Sequence, residues 1–506
     1  MPAIEIHHLE KKFRQRGGGV VHAVRDVSFS VERGELFALL GVNGAGKTTT
    51  IRMLTGLCRP DGGNVRIMGY DLVRDPVQIK RLSGSSPQET AVAPLLTVRE
   101  NLELTAGLYG YGKREAEERA RRMMGRLHLV DVAERRAGKL SGGYAHRLSI
   151  GMGLISEPKI LYLDEPTMGL DVLARRVGHH PQSQGGGHGH SDHPLYGGSR
   201  SAGRPGGHHD LRTTARSRHG GGTLHPHRHH ATGRRLCCHR FRKICGRRRK
   251  GEHKMKRTLL FARRNLKEML RDPLSHVFCS GFPVVMLLVF RLVAHYTPGE
   301  VYWFDLGYLV PGITVFSYSF TMLYMALLIS RDRSSAFLRR LYGTPMTSGD
   351  FVCGYAMCGL FVALMQTVIC CAFAAVLGVL DGTSFAFARM LLMGISLLPA
   401  MLFSVFAGIL LGTLFSDKAA PGISSAFITA GGFLSGAWMP LETMGNLKIV
   451  ATCLPFYPAV CLSRCVFGGG SVTFDSFWGY YLIVCGYAMA AFVGSCAAFR
   501  HNMTKD

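Results

Sequence analysis

Three stretches of the chain alternate apolar and polar residues in different ways. Over residues 1–176, short apolar runs are punctuated by turns. Glu35–Gly41, ELFALLG, reads as a buried strand entering a glycine-rich turn, and Thr48–Leu57 follows with helical spacing. Lys159–Glu165, KILYLDE, reads as a second buried strand. Between them, residues 97–135 are charged and amphipathic, which predicts a helical insertion in a soluble α/β domain.

Residues 254–506 hold apolar runs of membrane length near 276–293, 306–329, 352–380, 390–415, 421–438 and 477–499. The third is too long to cross without tilt. The fifth is the least regular. The string MPLETMGNLKIVATCLPFYPAV after it allows a re-entrant piece. The amphipathic stretch ARRNLKEMLRDPL before the first run predicts an interfacial helix. Arg291 and Arg389, near span ends, are expected to snorkel, and Gln366 to hydrogen-bond between helices. Residues 177–253 show no period of 2 or 3.6, so they predict an irregular segment unable to offset its ordering entropy.

Charge sharpens this division. The net charge of +26 would suggest nucleic acid or an anionic surface, but residues 177–253 alone carry +12 of it. That window also holds 14 of the 22 His. In the C-terminal part, Arg263, Arg264, Lys267 and Arg271 precede the first run. Arg331, Arg333, Arg339 and Arg340 follow the second, Lys418 the fourth, and Arg500 and Lys505 the sixth. The positive-inside rule then predicts six spans with both termini cytoplasmic. The polar opening Met1–Glu10 agrees with a cytoplasmic start. Ten of the 14 Cys lie at or beyond Cys279, mostly within apolar runs, where they pack as small residues; a disulfide scaffold is excluded.

The candidate chemistry lies in the first stretch. GVNGAGKT at 41–48 fits the phosphate-loop pattern. Gly41, Gly44 and Gly46 let backbone N–H groups curl around phosphate oxygens, and the helix N-terminus adds its dipole. Lys47 supplies a point charge at the β/γ-phosphates, and Thr48 a hydroxyl for Mg²⁺. Asn43 and Thr49 complete the candidate nucleotide contacts. At the end of the second strand, Asp164 is placed to hold Mg²⁺ through water and Glu165 to polarise an attacking water. Ser141, Gly142 and Gly143, in LSGGY, offer a hydroxyl and N–H groups at a helix start.

Together these motifs resemble the nucleotide-binding domain of ABC transporters over 1–176. The resemblance implies ATP and Mg²⁺, with Lys47 and Glu165 catalytic and Thr48, Gln88 and Asp164 at the metal. Phe13 resembles the aromatic residue that stacks on adenine, Gln88 the Q-loop glutamine, and Leu140–Tyr144 the signature motif, with Tyr144 where Gln is commoner. Gly169, Leu170 and Asp171 resemble the D-loop. It also implies two such domains closing head to tail around two ATP, from a second copy or from separate ABC subunits.

Residues 254–506 resemble a type-2 ABC permease, with RDRSSAFLRRLYGTPMTSGDF as the coupling element near Gln88. The family is rich in exporters of drugs, polyketides, lipids and lipid-linked glycans. The resemblance implies an α/β P-loop ATPase domain followed by an all-α six-helix membrane domain. It places the chain in a bacterial inner membrane with the ATPase cytoplasmic, acting on a drug-like, lipid or glycolipid substrate and not on nucleic acid.

The pattern breaks after residue 176. The family's histidine, on a strand end about 30 residues after the catalytic glutamate, is missing, and His188, His190 and His193 lie on no apolar strand. Shifted by one base, back-translation of Asp192–Ser201 permits T-T-H-Y-M-E-E-A-E, the missing strand end and acidic helix. The shifted frame closes on a stop codon overlapping the ATG of Met255. The segment thus reads as out of frame, which leaves the ATPase domain incomplete. Two rivals stand beside the exporter reading: a non-catalytic fusion, and a His-rich metal-binding membrane protein using Cys237, Cys238, His239 and Cys245. GRRRKG at 246–251 reads as a solvated basic run.

Overall fold

A computed structural model describes residues 2–14, 18–87, 89–164, 239–297, 302–382, 385–437, 441, 446–467 and 474–505. The segment read as out of frame lies outside these residues up to position 238, as do Gln88, Glu165 and Asp171. The chain divides into two units, Met1–Gln88 with Gly142–Gly233 and Glu89–Ser141 with Arg234–Asp506.

The first unit holds an antiparallel sheet of order β2-β1-β3-β4, built from β1 (Ile4–Arg14), β2 (Val20–Val31), β3 (Gly62–Ile67) and β4 (Tyr70–Asp71). Alternation drives Ile4, Ile6 and Leu9 inward, where they meet Val24, Val65 and Ile67. The helix α1 (Lys47–Leu54) adds Met53 and Leu54 to this core, and α2 (Pro76–Leu82) adds Ile79. A parallel pair, β5 (Ser83–Ser86) with β6 (Ile160–Leu163), adds Tyr162.

The predicted strand over Glu35–Gly41 does not form as expected. It carries no strand assignment beyond a bridge residue at Leu39, with Leu36 87% and Leu40 57% exposed. A buried parallel strand needs a hydrogen-bonded neighbour and a covered face. Among the described residues, the parallel sheet consists of β5 and β6 alone.

In the second unit, the predicted helical insertion is present as α3 (Val98–Tyr109) and α4 (Lys113–Arg126). Thr97 caps α3 through a capping box with Glu100. Gly142–Leu154, in the first unit, forms α5. A long helix, α6 (His239–Arg271), leads into the apolar helices α7 (Val277–Tyr296), α8 (Leu306–Ser334) and α10 (Ser348–Leu380), with the short α9 (Ala336–Tyr342) after α8. The fourth apolar run breaks into α11 (Phe387–Ser396) and α12 (Leu398–Leu414), bent by 43°.

The fifth run yields α13 (Ala420–Leu434), whose 15 residues span only about 22 Å, less than the ~30 Å hydrocarbon core. Beyond it, α14 (Leu447–Cys453) and α15 (Phe456–Phe467) meet at 82°, a bend that fits a broken span as well as the re-entrant piece that the sequence allowed. The last run is α16 (Phe474–Lys505).

Close packing follows the small residues. A Cβ on Gly408 or Gly412 of α12 would lie within 2.6 Å of a backbone oxygen of α8. Gln366 makes the expected interhelical bonds, accepting from Thr321 Oγ1 at 2.6 Å and donating to the Ser317 carbonyl at 3.2 Å. Arg291 does not simply snorkel, because Asp381 across the bundle offers a carboxylate and the two pair. Phe261, just before the stretch expected to lie at the interface, and Arg264, Asn265 and Glu268 within it turn inward against their helical neighbours. Ion partners on α8 make that orientation favourable.

Candidate functional site

The glycine-rich loop occupies the turn before α1. Gly44 and Gly46 sit at φ +86° and +84°, in the left-handed region that side chains disfavour. A Cβ on Gly46 would lie 2.2 Å from the Ala23 carbonyl oxygen, so this position tolerates only glycine. Gly41, Asn43, Gly44 and Thr48 are exposed, with Lys47 and Thr49 half-buried. Thr50 N–H is the first to bond back, to Gly46 O at 2.8 Å, so the preceding N–H groups of the first turn remain available to an anion. The Lys47 ammonium folds into the loop, donating to the Gly41 carbonyl at 2.5 Å and the Val42 carbonyl at 3.0 Å. Those bonds hold the cation at the loop.

Asp164 follows β6, its N–H donating to Ser86 O at 3.1 Å, and α1 and β6 contribute to one apolar core. Thr48 and Asp164 offer hard oxygen donors, the chemistry that suits Mg²⁺. Phe13 lies on β1, partly exposed, with the Lys11 ammonium 5.4 Å from its ring centroid. Ser141 precedes α5, and it is exposed together with Gly142 and Gly143; no atom lies within 4 Å of a Cβ built on either glycine.

A residue that sequence reasoning missed is Glu100. Besides closing the α3 capping box, it accepts from Lys267 Nζ at 2.8 Å and from both Arg271 guanidinium nitrogens at 2.6 and 2.9 Å. Arg271 also donates to the Leu95 carbonyl. Burial works to raise the Glu100 pKa, but the Arg271 and Lys267 hydrogen bonds outweigh it and hold the carboxyl at about 2. Arg340 of α9, within the stretch expected to act in coupling, donates to the Ala91 carbonyl at 3.2 Å. The signal was present as Thr97-x-x-Glu100 and the i, i+4 cations Lys267 and Arg271. Each half reads as ordinary until the other is placed beside it.

Residues 24–168 match the family model for ABC transporters, and residues 257–467 match that for ABC-2 type transporters. Over 175 residues the chain is 41% identical to the doxorubicin resistance ATP-binding protein DrrA of Mycobacterium tuberculosis, covering 35% of this chain and 52% of that protein. It is 41% identical over 152 residues to the linearmycin resistance ATP-binding protein LnrL of Bacillus subtilis, covering 30% of this chain and 49% of that one. Human phospholipid-transporting ATPase ABCA3 is 43% identical over 174 residues, covering 34% of this chain and 10% of that protein.

The chain spans about half the length of the DrrA relative it matches. A solved dimeric ATP-binding cassette bound to ADP and Pi aligns with a TM-score of 0.32 at 24% identity, covering 34% of this chain and 80% of that one. By these two family models, the chain joins an N-terminal α/β segment similar to ABC transporter ATP-binding proteins to a C-terminal helical segment similar to ABC-2 type transporters.

Proposed function

We propose that the protein is an ATP-driven exporter of a drug-like, lipid or glycolipid substrate, multi-pass in a bacterial cell membrane, with both termini and the ATP-binding part in the cytoplasm. The observation that carries this reading is the clamp at Glu100, which ties the helical segment 89–141 to the helix α6 that leads into the membrane bundle. The drug-resistance names of DrrA and LnrL support the substrate class.

Lys47 and the first-turn N–H groups of α1 bind the phosphates. Phe13 stacks on the base. Ser141, Gly142 and Gly143 of a second copy, or of a separate ABC subunit, cap the same nucleotide from across the dimer. Thr48, Asp164 and Gln88 would hold Mg²⁺, which when bound neutralises charge at the β/γ-phosphates. Glu165 polarises the attacking water, and Asp171 lines the dimer seam. Closure then passes through Glu100 and Arg340 to the apolar helices. In equilibrium binding, Lys47→Ala should weaken ATP at least tenfold; unchanged affinity would remove the loop from the site.

The exposed Leu36 and Leu40 favour a second reading, in which 1–176 is an incomplete ATPase domain and 177–253 is out of frame, joined to a permease over 254–506. An open strand edge presents unpaired backbone N–H and C=O groups, a liability for an intact domain. Resequencing the region encoding residues 170–256 tests this directly. A restored base near codon 176 would yield two overlapping genes and a two-protein exporter; an unchanged frame would reject it.

A further inference from the structure

Beneath α6 lies an ionic cluster that the ATP-driven cycle does not use. Arg264, buried with its side chain 1% exposed, donates to both carboxylate oxygens of Asp332 on α8, at 2.5 and 2.8 Å. Tyr355 of α10 donates to the same carboxylate at 2.7 Å. The guanidinium stacks on the Phe337 ring of α9, 4.6 Å from its centroid. Asp332 is thus fully matched. Glu268, one turn further along α6, reaches the same arginine through Oε2 at 2.8 Å, while its Oε1 is buried without a hydrogen-bond partner among the described residues.

The charges do not balance if both acids ionise. One guanidinium, that of Arg264, bonds to both carboxylates, and the second is the one with a bare oxygen. An unsolvated carboxylate costs several kcal/mol, far more than the neutral acid. The groups that face Glu268 are Arg264 and Arg271 on its own helix, Arg331, Asp332 and Tyr324 on α8, and Cys358 on α10. Burial raises the affinity of Glu268 for a proton, and Asp332 adds to it; Arg264 and Arg331 offset only part.

We propose that Glu268, with Arg264 and Asp332, forms a buried proton-binding site at the junction of α6, α8 and α10. The proton comes from solvent and rests on Oε1, converting the carboxylate to the neutral acid, while Oε2 keeps its bond from Arg264. Losing that proton leaves an uncompensated charge beneath the helix that carries Lys267 and Arg271, and so loosens α6 against the bundle. Protonation therefore tunes the element that grips Glu100, whatever the chain transports.

The sign of the linkage follows. The folded-state pKa is raised above the unfolded value, so the contribution to stability is complete below the unfolded pKa and is lost as pH rises through the folded one. The test is thermal unfolding of the full chain in detergent from about pH 5 to about pH 8. The wild-type protein should melt several degrees lower at the alkaline end. Glu268→Gln, which mimics the neutral acid, should abolish that fall and keep the acid-side melting temperature. Asp332→Asn should move the fall to lower pH, because Arg264 is then freed to stabilise ionised Glu268. Difference infrared spectra should show a carboxylic-acid band that Glu268→Gln removes. A wild-type slope retained in Glu268→Gln, an unmoved slope in Asp332→Asn, or failure of Glu268→Gln to fold would each overturn the proposal.

Discussion

Two residues set the local logic of this chain. Gly46 combines a left-handed backbone with a contact that leaves no room for a Cβ. Gly46→Ala should therefore cost about 1–3 kcal/mol in the first unit and distort the loop that presents Lys47; a melting curve matching wild type would show that the turn relaxes freely. Glu100 separates two roles by substitution. Glu100→Gln keeps an oxygen for the Thr97 N–H but loses the charge, whereas Glu100→Ala also loses the cap, a further ~1 kcal/mol. The melting temperature should fall in that order, and Arg271→Ala combined with Glu100→Gln should cost less than the sum of the two.

The pH dependence of Glu100 has the opposite sign to that of Glu268. Its folded pKa lies below the unfolded value, so its contribution is present above the ordinary carboxyl range and is lost as pH falls through about 2. Neither acid was legible in the sequence as special: the cations of Glu100 lie 167 and 171 positions away, and the Asp332 that shares Arg264 with Glu268 lies 68 positions from that arginine. The phosphate-loop glycines were legible, since their constraint is local.

At the scale of elements, what was readable depended on whether a segment satisfies its own backbone. Helices do so internally, and α3, α4 and four membrane runs appear close to where apolar period and caps placed them. The strand over Glu35–Gly41 depends on neighbours, and its apolar character alone could not form it. The break between α14 and α15 follows the sequence Leu454-Pro455, where proline removes a donor and biases the preceding residue away from the helix. Within the bundle, Gln366→Leu should leave Thr321 without its acceptor and destabilise α8 against α10 by about 0.6–2 kcal/mol, read as a lower unfolding midpoint in detergent. An unchanged midpoint would mean that Thr321 finds another acceptor.

For the whole molecule, the proposed function puts ATP chemistry and the apolar helices it drives on one polypeptide. Family resemblance was legible because the motifs of the N-terminal part are dense and local, and the C-terminal part announces itself by apolar length. Partner, substrate and direction depend on surfaces that sequence pattern does not encode. The most direct test is Mg²⁺-dependent ATP turnover by the full chain reconstituted in lipid, compared with Glu165→Gln. The account predicts steady turnover that falls at least a hundredfold in Glu165→Gln, roughly the loss of one general-base contribution. Absence of turnover in the wild-type chain, or turnover indifferent to Glu165, would contradict it and leave the non-catalytic fusion standing.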